Sequence, residues 1–362
     1  MKRTFLSLAC LSALCLGRAW GDGDATAHGL LLDAGVDPVL AGFRLDDNVF
    51  RAVTMGTQVS DFIDSLDGGG FLNAQTGIFD GRLNYQLSAD QYWTNSILDN
   101  LENHLGARLD LTPGPLDLYY EKDLYVRDSH FGDFDYVDEG DFLGLVLAPR
   151  GPWDYGLRYK YFSRVYYSAE PSYQSRNFAD QEIQANVQRA VDDRLSLKLS
   201  GSYNDRQFNR YAVLDGGASD SASLLQQDQT WTALLGAHFF LESVLQDLTY
   251  EHQRTNSNSY GFSNTVDSLS WAAVLKPVPS FYLQLFWRFY SKVYDVSPVN
   301  SPDLQLGFVD EDSQDILSLK ASWEWGPQWD ASLGLSRLRV ESDQPDQFYV
   351  KDILAVQVRR GF

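Results

Sequence analysis

Cysteine is almost missing from this chain of 362 residues. Its two cysteines, Cys10 and Cys15, both lie close to the N-terminus. A mature chain without that segment could form no disulfide and no thiolate metal site. Long apolar runs are missing too. After residue 27 nothing approaches the roughly 18 consecutive apolar residues that a membrane-spanning helix needs. Basic residues are scarce, with Lys+Arg 29 against Asp+Glu 49 and a net charge of −20. Nucleic acid is therefore a poor partner, because phosphate backbones are held by basic patches. His28, His104, His130, His238 and His252 are scattered without metal-ligand spacing. No Gly-x-Ser-x-Gly elbow or phosphate-cradling glycine loop occurs, and no Ser/His/acid set can be assembled. The chain is expected not to be an enzyme, and no cofactor and no metal is implied. The acidic stretch Asp128, Asp133, Asp135, Asp138, Glu139 and Asp141 could in principle attract a hard cation. It lacks calcium-loop spacing and reads as a solvated outer loop.

Aromatic residues are abundant, at 14% of the chain, with 20 Tyr, 21 Phe and 9 Trp. They stand among alternating apolar and polar residues, and the mean hydropathy is negative. Leu195, Leu197, Leu199, Gly201 and Tyr203 oppose Ser196, Lys198, Ser200 and Ser202. Leu83, Tyr85, Leu87 and Ala89 oppose Asn84, Gln86 and Ser88. A period of two marks strands with two unlike faces. Sixteen such segments can be traced from Val39 to the C-terminus, with Phe62 to Ala74 the least regular because of Gly68, Gly69 and Gly70. Short turns at Pro113-Gly114-Pro115, Pro149 to Pro152, Asp192-Asp193, Lys276 to Pro279 and Gly326-Pro327 interleave with longer polar connections at Asp128–Asp141, Ser168–Asp180, Asn209–Gln226 and Tyr294–Glu311. Short turns at one end and long loops at the other are the pattern of a transmembrane antiparallel up-and-down β-barrel, here of about 16 strands (14–18). Trp153, Trp325 and Trp329 near short turns, with Trp93 and Tyr167 at the other ends, suit two aromatic girdles.

The N-terminus reads as a secretory signal. Lys2 and Arg3 precede an apolar core from Phe5 to Leu16, too short to span a bilayer as a helix. Cleavage is expected after residue 21, or as late as Ala27. Residues 28–38 then form a periplasmic linker, and 39–362 the barrel. The expected location is the outer membrane of a Gram-negative bacterium, with outer-membrane lipid and lipopolysaccharide as surroundings.

If the leucines face lipid, the opposite parity faces the lumen. Asp117, Tyr119, Glu121 and Asp123 then point inward from one strand, and Arg158, Lys160 and Arg164 from another. Lys198 lies opposite Leu197 and Leu199. Tyr282, Arg288 and Tyr290 share a strand, and Lys320 and Glu324 lie on its neighbour. This set is polar and mixed in sign. It suits a water-filled lumen and would be costly in a dry core. Tyr282, Arg288 and Tyr290 could together stack on and hydrogen-bond to a sugar.

Two stretches carry resemblances. Leu354, Val356, Val358 and Phe362 alternate toward the last residue, with Arg360 in the same file. This resembles the C-terminal strand of outer-membrane β-barrels, which implies recognition by the barrel-assembly machinery. Gly42-Phe43-Arg44-Leu45-Asp46-Asp47-Asn48-Val49-Phe50-Arg51, followed by Ser60-Asp61, resembles the first hairpin of the β-barrel porins that accompany exopolysaccharide gene clusters. That resemblance implies an outer-membrane channel assisting polysaccharide export. The alternatives are a general or sugar-uptake porin that meets small saccharides, a barrel enzyme acting on lipid or glycan, and a structural barrel that does not conduct.

Overall fold

A computed structural model describes residues 31–47, 60–96, 99–129, 135–149, 151–167, 174–214, 220–296, 313–326, 329–341 and 349–360. Among them are sixteen strands. They are β1 (Leu31–Asp46), β2 (Asp61–Thr76), β3 (Phe79–Tyr92), β4 (Asn100–Leu111), β5 (Leu116–Ser129), β6 (Tyr136–Leu147), β7 (Trp153–Tyr166) and β8 (Phe178–Ala190). The second half comprises β9 (Leu195–Val213), β10 (Asp220–Leu241), β11 (Val244–Ser257), β12 (Asn264–Val278), β13 (Phe281–Tyr294), β14 (Ser313–Glu324), β15 (Trp329–Glu341) and β16 (Tyr349–Arg360). Each strand pairs with its sequence neighbours, and β1 pairs antiparallel with β16, so the sheet closes into a barrel. Over Val39–Asp46 the ladder to β16 leaves no open sheet edge, the condition for a sheet to span lipid.

The seam is pinned beyond its ladder. The Lys351 ammonium lies 2.5 Å from the Asp46 carboxylate. The Asp352 amide donates to Asp47 Oδ1 at 2.8 Å, and the Asp47 amide donates to the Asp352 carbonyl at 3.2 Å. Tight hairpins join strands at one end. Gly77 and Gly114 adopt φ of +58° and +70° there, a region costly for residues with a Cβ.

Two adjacent rows show what each face is made of. Leu109, Tyr120, Leu143, Tyr159, Ile183, Tyr203 and Trp231 are successive partners across β4 to β10. One residue along, the partners are Arg108, Glu121, Phe142, Lys160, Glu182, Asn204 and Thr230. The first row faces out. Leu143, Leu199 and Leu235 on that face are 58%, 56% and 56% exposed. The fully buried apolar residues are few, among them Ile63, Val266 and Val340. A water-soluble fold buries its leucines; this one presents them.

Aromatic rings mark both rims. Trp153 stacks near Tyr155, with the Arg189 guanidinium 5.0 Å from its ring centre. Arg360, the one charged residue in the final alternating file, pairs with Trp329 and lies 5.2 Å over its ring. Its long apolar stem and interfacial ring partner make it tolerable at the rim. At the other rim Phe43, Phe62 and Trp93 cluster at 5.2–5.8 Å.

The strands run longer than alternation foretells. β1 starts at Leu31 rather than Val39, and Leu31–Asp37 pair with β2, so residues 31–38 are strand and not linker. A register shift between Asp37 and Leu40 accommodates Pro38, which has no N–H for a ladder. β6 starts at Tyr136 rather than Phe142. β9 continues to Val213 and β10 begins at Asp220, inside the connection expected from Asn209 to Gln226. In these extensions apolar and polar residues no longer alternate, as in Asn204-Asp205-Arg206-Gln207 and Tyr211-Ala212-Val213, and a period of two has nothing to report. Asp133 of the acidic stretch, Phe362 and the signal segment lie outside the described residues.

Leu235→Arg places a charge in the middle of the outward apolar band. It should lower folding stability in lipid vesicles by about 2–4 kcal/mol, read by denaturant titration. Thr232→Arg, on the inward face of the same strand, should cost far less.

Candidate functional site: the lumenal wall

The register sets Asp117, Tyr119, Glu121, Asp123, Arg158, Lys160, Arg164, Lys198, Tyr282, Arg288, Tyr290, Lys320 and Glu324 on the face opposite the exposed leucines. What they meet there depends on the arc of wall.

On β3 to β9 the charges form a paired network. Arg108 donates to both Asp110 oxygens at 2.7–2.9 Å and to Glu121 at 3.3 Å, and its guanidinium lies 4.2 Å over the Tyr119 ring. Asp123 faces His104 at 3.0 Å. Arg164 grips Asp138 with two bonds of 2.7 Å and covers Tyr136 at 4.1 Å. Asp180 sits between Arg206 at 2.9 Å and Lys160 at 3.9 Å, and Glu182 is 3.9 Å from Arg158. Two-pronged arginine–carboxylate pairs are charge-assisted and geometrically fixed, so these side chains are held against the wall.

Rings join them. Tyr125, Tyr136 and Tyr166 follow one another at 5.9 and 5.5 Å. Phe162, Phe178 and Phe208 follow at 5.8 Å each. Arg206 covers Phe178 at 4.4 Å, and Arg210 covers Phe208 at 4.8 Å. These residues lie toward the long-loop ends of their strands. Glycines provide the berths in which other rings lie flat. A Cβ added at Gly144 would sit 2.1 Å from Tyr119, its direct partner on β5, and one at Gly35 would sit 2.7 Å from Phe71. A ring over a facing glycine restores the packing that a bare strand glycine lacks.

Several expected groupings are not brought together. Tyr282 and Tyr290 are eight residues apart on β13, about 26 Å along the strand. Each already carries a cation over its ring, Lys276 at 4.6 Å and Arg288 at 5.0 Å. They do not form one sugar platform with Arg288. The acidic stretch splits across two faces. Asp138 points into the lumen. Glu139 and Asp141 face outward, with the Lys122 ammonium at 2.5 and 3.3 Å and the Tyr120 hydroxyl donating to Asp141 at 2.5 Å. Asp135 accepts from the Ser129 amide and hydroxyl at 2.5 and 2.8 Å. Among the described residues no group of three such side chains could hold a metal ion.

The residues that carry the resemblance to exopolysaccharide-associated porins do structural work where they are described. Asp46 and Asp47 close the seam. Asp61 accepts from the amides of Phe62, Thr94 and Asn95 at 2.8–3.0 Å, which ties the β3–β4 connection down. Arg108, Asp180 and Arg206 carry no signal of their own in the sequence, and His104 and Asp138 stand out there only as a scattered histidine and as part of an acidic outer loop. All five share the parity of the expected lumenal residues, but the rung that each one faces needed the register.

Gly144→Ala should push Tyr119 off the wall and lower single-channel conductance in planar bilayers. Adding Tyr119→Ala should restore it. An unchanged conductance in Gly144→Ala would show that the ring does not border the conducting path.

No family model matches the chain, and no curated protein matches its sequence. Solved structures share its fold. The chain is similar to OprB of Pseudomonas putida at 8% identity, covering 91% of this chain and 94% of that one with a TM-score of 0.54. It is similar to OmpT of Vibrio cholerae, expressed in the outer membrane, at 10% identity over 93% and 99% of the two chains with a TM-score of 0.51. It is also similar to a doubly substituted OccD1 (OprD) at 12% identity over 94% and 98%, with a TM-score of 0.50. At these identities the likeness carries the fold alone: the chain has the closed antiparallel barrel of outer-membrane porins.

Proposed function

We propose that this chain is an outer-membrane channel that assists export of an exopolysaccharide. One observation carries the reading: the inner wall is wettable, and on β3 to β9 its charges are largely satisfied by one another. Arg164 is matched by Asp138, Arg206 by Asp180, and Arg108 by Asp110 and Glu121. Such a wall hydrates a passing polymer without holding any one unit tightly. Conduction needs this, since binding that is too strong stops release. Sixteen strands enclose a lumen of the size that carries water. The Gly42–Arg51 and Ser60-Asp61 resemblance supplies the polymer and the outward direction. The absence of an assembled Ser/His/acid set in the sequence favours a conduit over a barrel enzyme.

Deleting the gene in its native host should lower secreted polysaccharide several-fold and leave polymer in the periplasm, read by sugar analysis of the two fractions. The purified barrel should conduct ions in planar bilayers. Normal secretion together with impaired growth on oligosaccharides would replace export by uptake. Failure to conduct would remove both.

A further inference from the structure

The arc formed by β13 to β16 departs from the paired network. On its middle rungs the inner face is built largely from small and neutral side chains, including Ser318, Ser322, Ser332, Gly334, Ser336 and Ala355, while Arg288, Glu324 and the Arg359–Asp330 pair lie toward its two ends. Small residues on successive rungs leave a recess of about 260 Å³. Its lining includes Gln284, Phe286, Lys320, Ser332, Ser336 and Gln357, and Lys320 is the one charged residue there. Gly334 stands directly across from Lys320 on β15, and a Cβ at Gly334 would meet nothing nearer than Ala355 at 3.7 Å. The hollow beside the lysine is therefore real space.

Lys320 differs from Arg108, Arg164 and Arg206, each of which has a carboxylate beside it. Its ammonium donates to Gln357 Oε1 at 3.1 Å, and the Ser332 hydroxyl donates to the same oxygen at 3.4 Å. Among the described residues no carboxylate comes within ion-pair distance of it. An ammonium has three donors, and one bond leaves two unspent. Around it stand the hydroxyls of Ser332 and Ser336 and the amides of Gln284 and Gln357. The Phe286 ring lies on the rung of Ser318. One cation, several neutral hydrogen-bonding groups and an aromatic face make a complementary set for a sugar ring that bears a carboxylate.

We propose that this recess is a subsite for a uronate unit of a saccharide, with the carboxylate on Lys320, ring hydroxyls on Ser332, Ser336, Gln284 and Gln357, and the apolar ring face on Phe286. The proposal rests on the reading of the barrel as a saccharide channel. Because Arg108, Arg164 and Arg206 on the opposite arc are already matched by carboxylates, Lys320 can favour acidic polymers without trapping them.

The full barrel, folded in detergent, is titrated with trigalacturonate, maltotriose and acetate by calorimetry at constant ionic strength, and current block is recorded in planar bilayers. Wild type should bind trigalacturonate roughly tenfold or more tighter than maltotriose, the scale of one charge-assisted hydrogen bond. Lys320→Gln should erase that preference, Lys320→Arg should keep most of it, and Gly334→Leu should fill the recess and weaken both sugars. Heat-modifiable mobility shows that each variant is folded. Equal binding of the two sugars, an undiminished preference in Lys320→Gln, or acetate competing as well as trigalacturonate would overturn the subsite. A barrel that binds trigalacturonate selectively but never conducts would keep the subsite and end the channel reading. A conducting barrel without the preference would do the reverse.

Discussion

Everything in this structure follows from one constraint. In hydrocarbon a backbone N–H or C=O has no water to turn to, and each unpaired group costs several kcal/mol. A sheet meets that demand only when its first strand finds its last. The ladder between Val39–Asp46 and Ile353–Arg360 does this, and Lys351–Asp46 and Asp352–Asp47 hold its loop-side end. Once the ring is closed, the side chains are free to be greasy outside and wet inside, and no conventional core is needed. The buried apolar residues are accordingly few.

The interior solves a second problem, how to line a wide bore with charge without collapsing it. Arginines on β4, β7 and β9 are held between carboxylates and ring faces, so they lie along the wall rather than across it. The price is paid in glycine, because a flat tyrosine needs a partner without a side chain. On the middle rungs of β13 to β16 the solution is different: small hydroxyl residues, one lysine, and space. The barrel thus has two unlike inner walls built from one antiparallel plan.

The architecture was readable in the sequence because the lipid-facing leucines impose a strict period of two, as in Leu195, Leu197 and Leu199, and because short and long connections alternate. What was not readable has a physical reason in each case. β6, β9 and β10 extend past the apolar band, where both faces meet water and the period disappears. The start of β1 is broken by Asp33, Gly35, Asp37 and Pro38, whose pairing depends on a distant bulge partner. Parity along one strand says which residues share a face. It does not say that Arg164 meets Asp138, or that Tyr119 meets Gly144, because those facts belong to the register between strands. Arg360 breaks the apolar alternation of its file, and the reason, the Trp329 ring on the facing rung, is visible only in the register.

The flat berth of Tyr119 over Gly144 also bears on how such a barrel can diverge. At Gly144 and Gly35 a residue with no side chain makes room for one aromatic neighbour, Tyr119 and Phe71 respectively. A single methyl at such a position narrows the passage by displacing the neighbour, and loss of that neighbour widens it again. The shape of the inner wall can therefore be retuned in small steps at either member of the pair, while the strand count, the seam and the lipid-facing surface remain untouched.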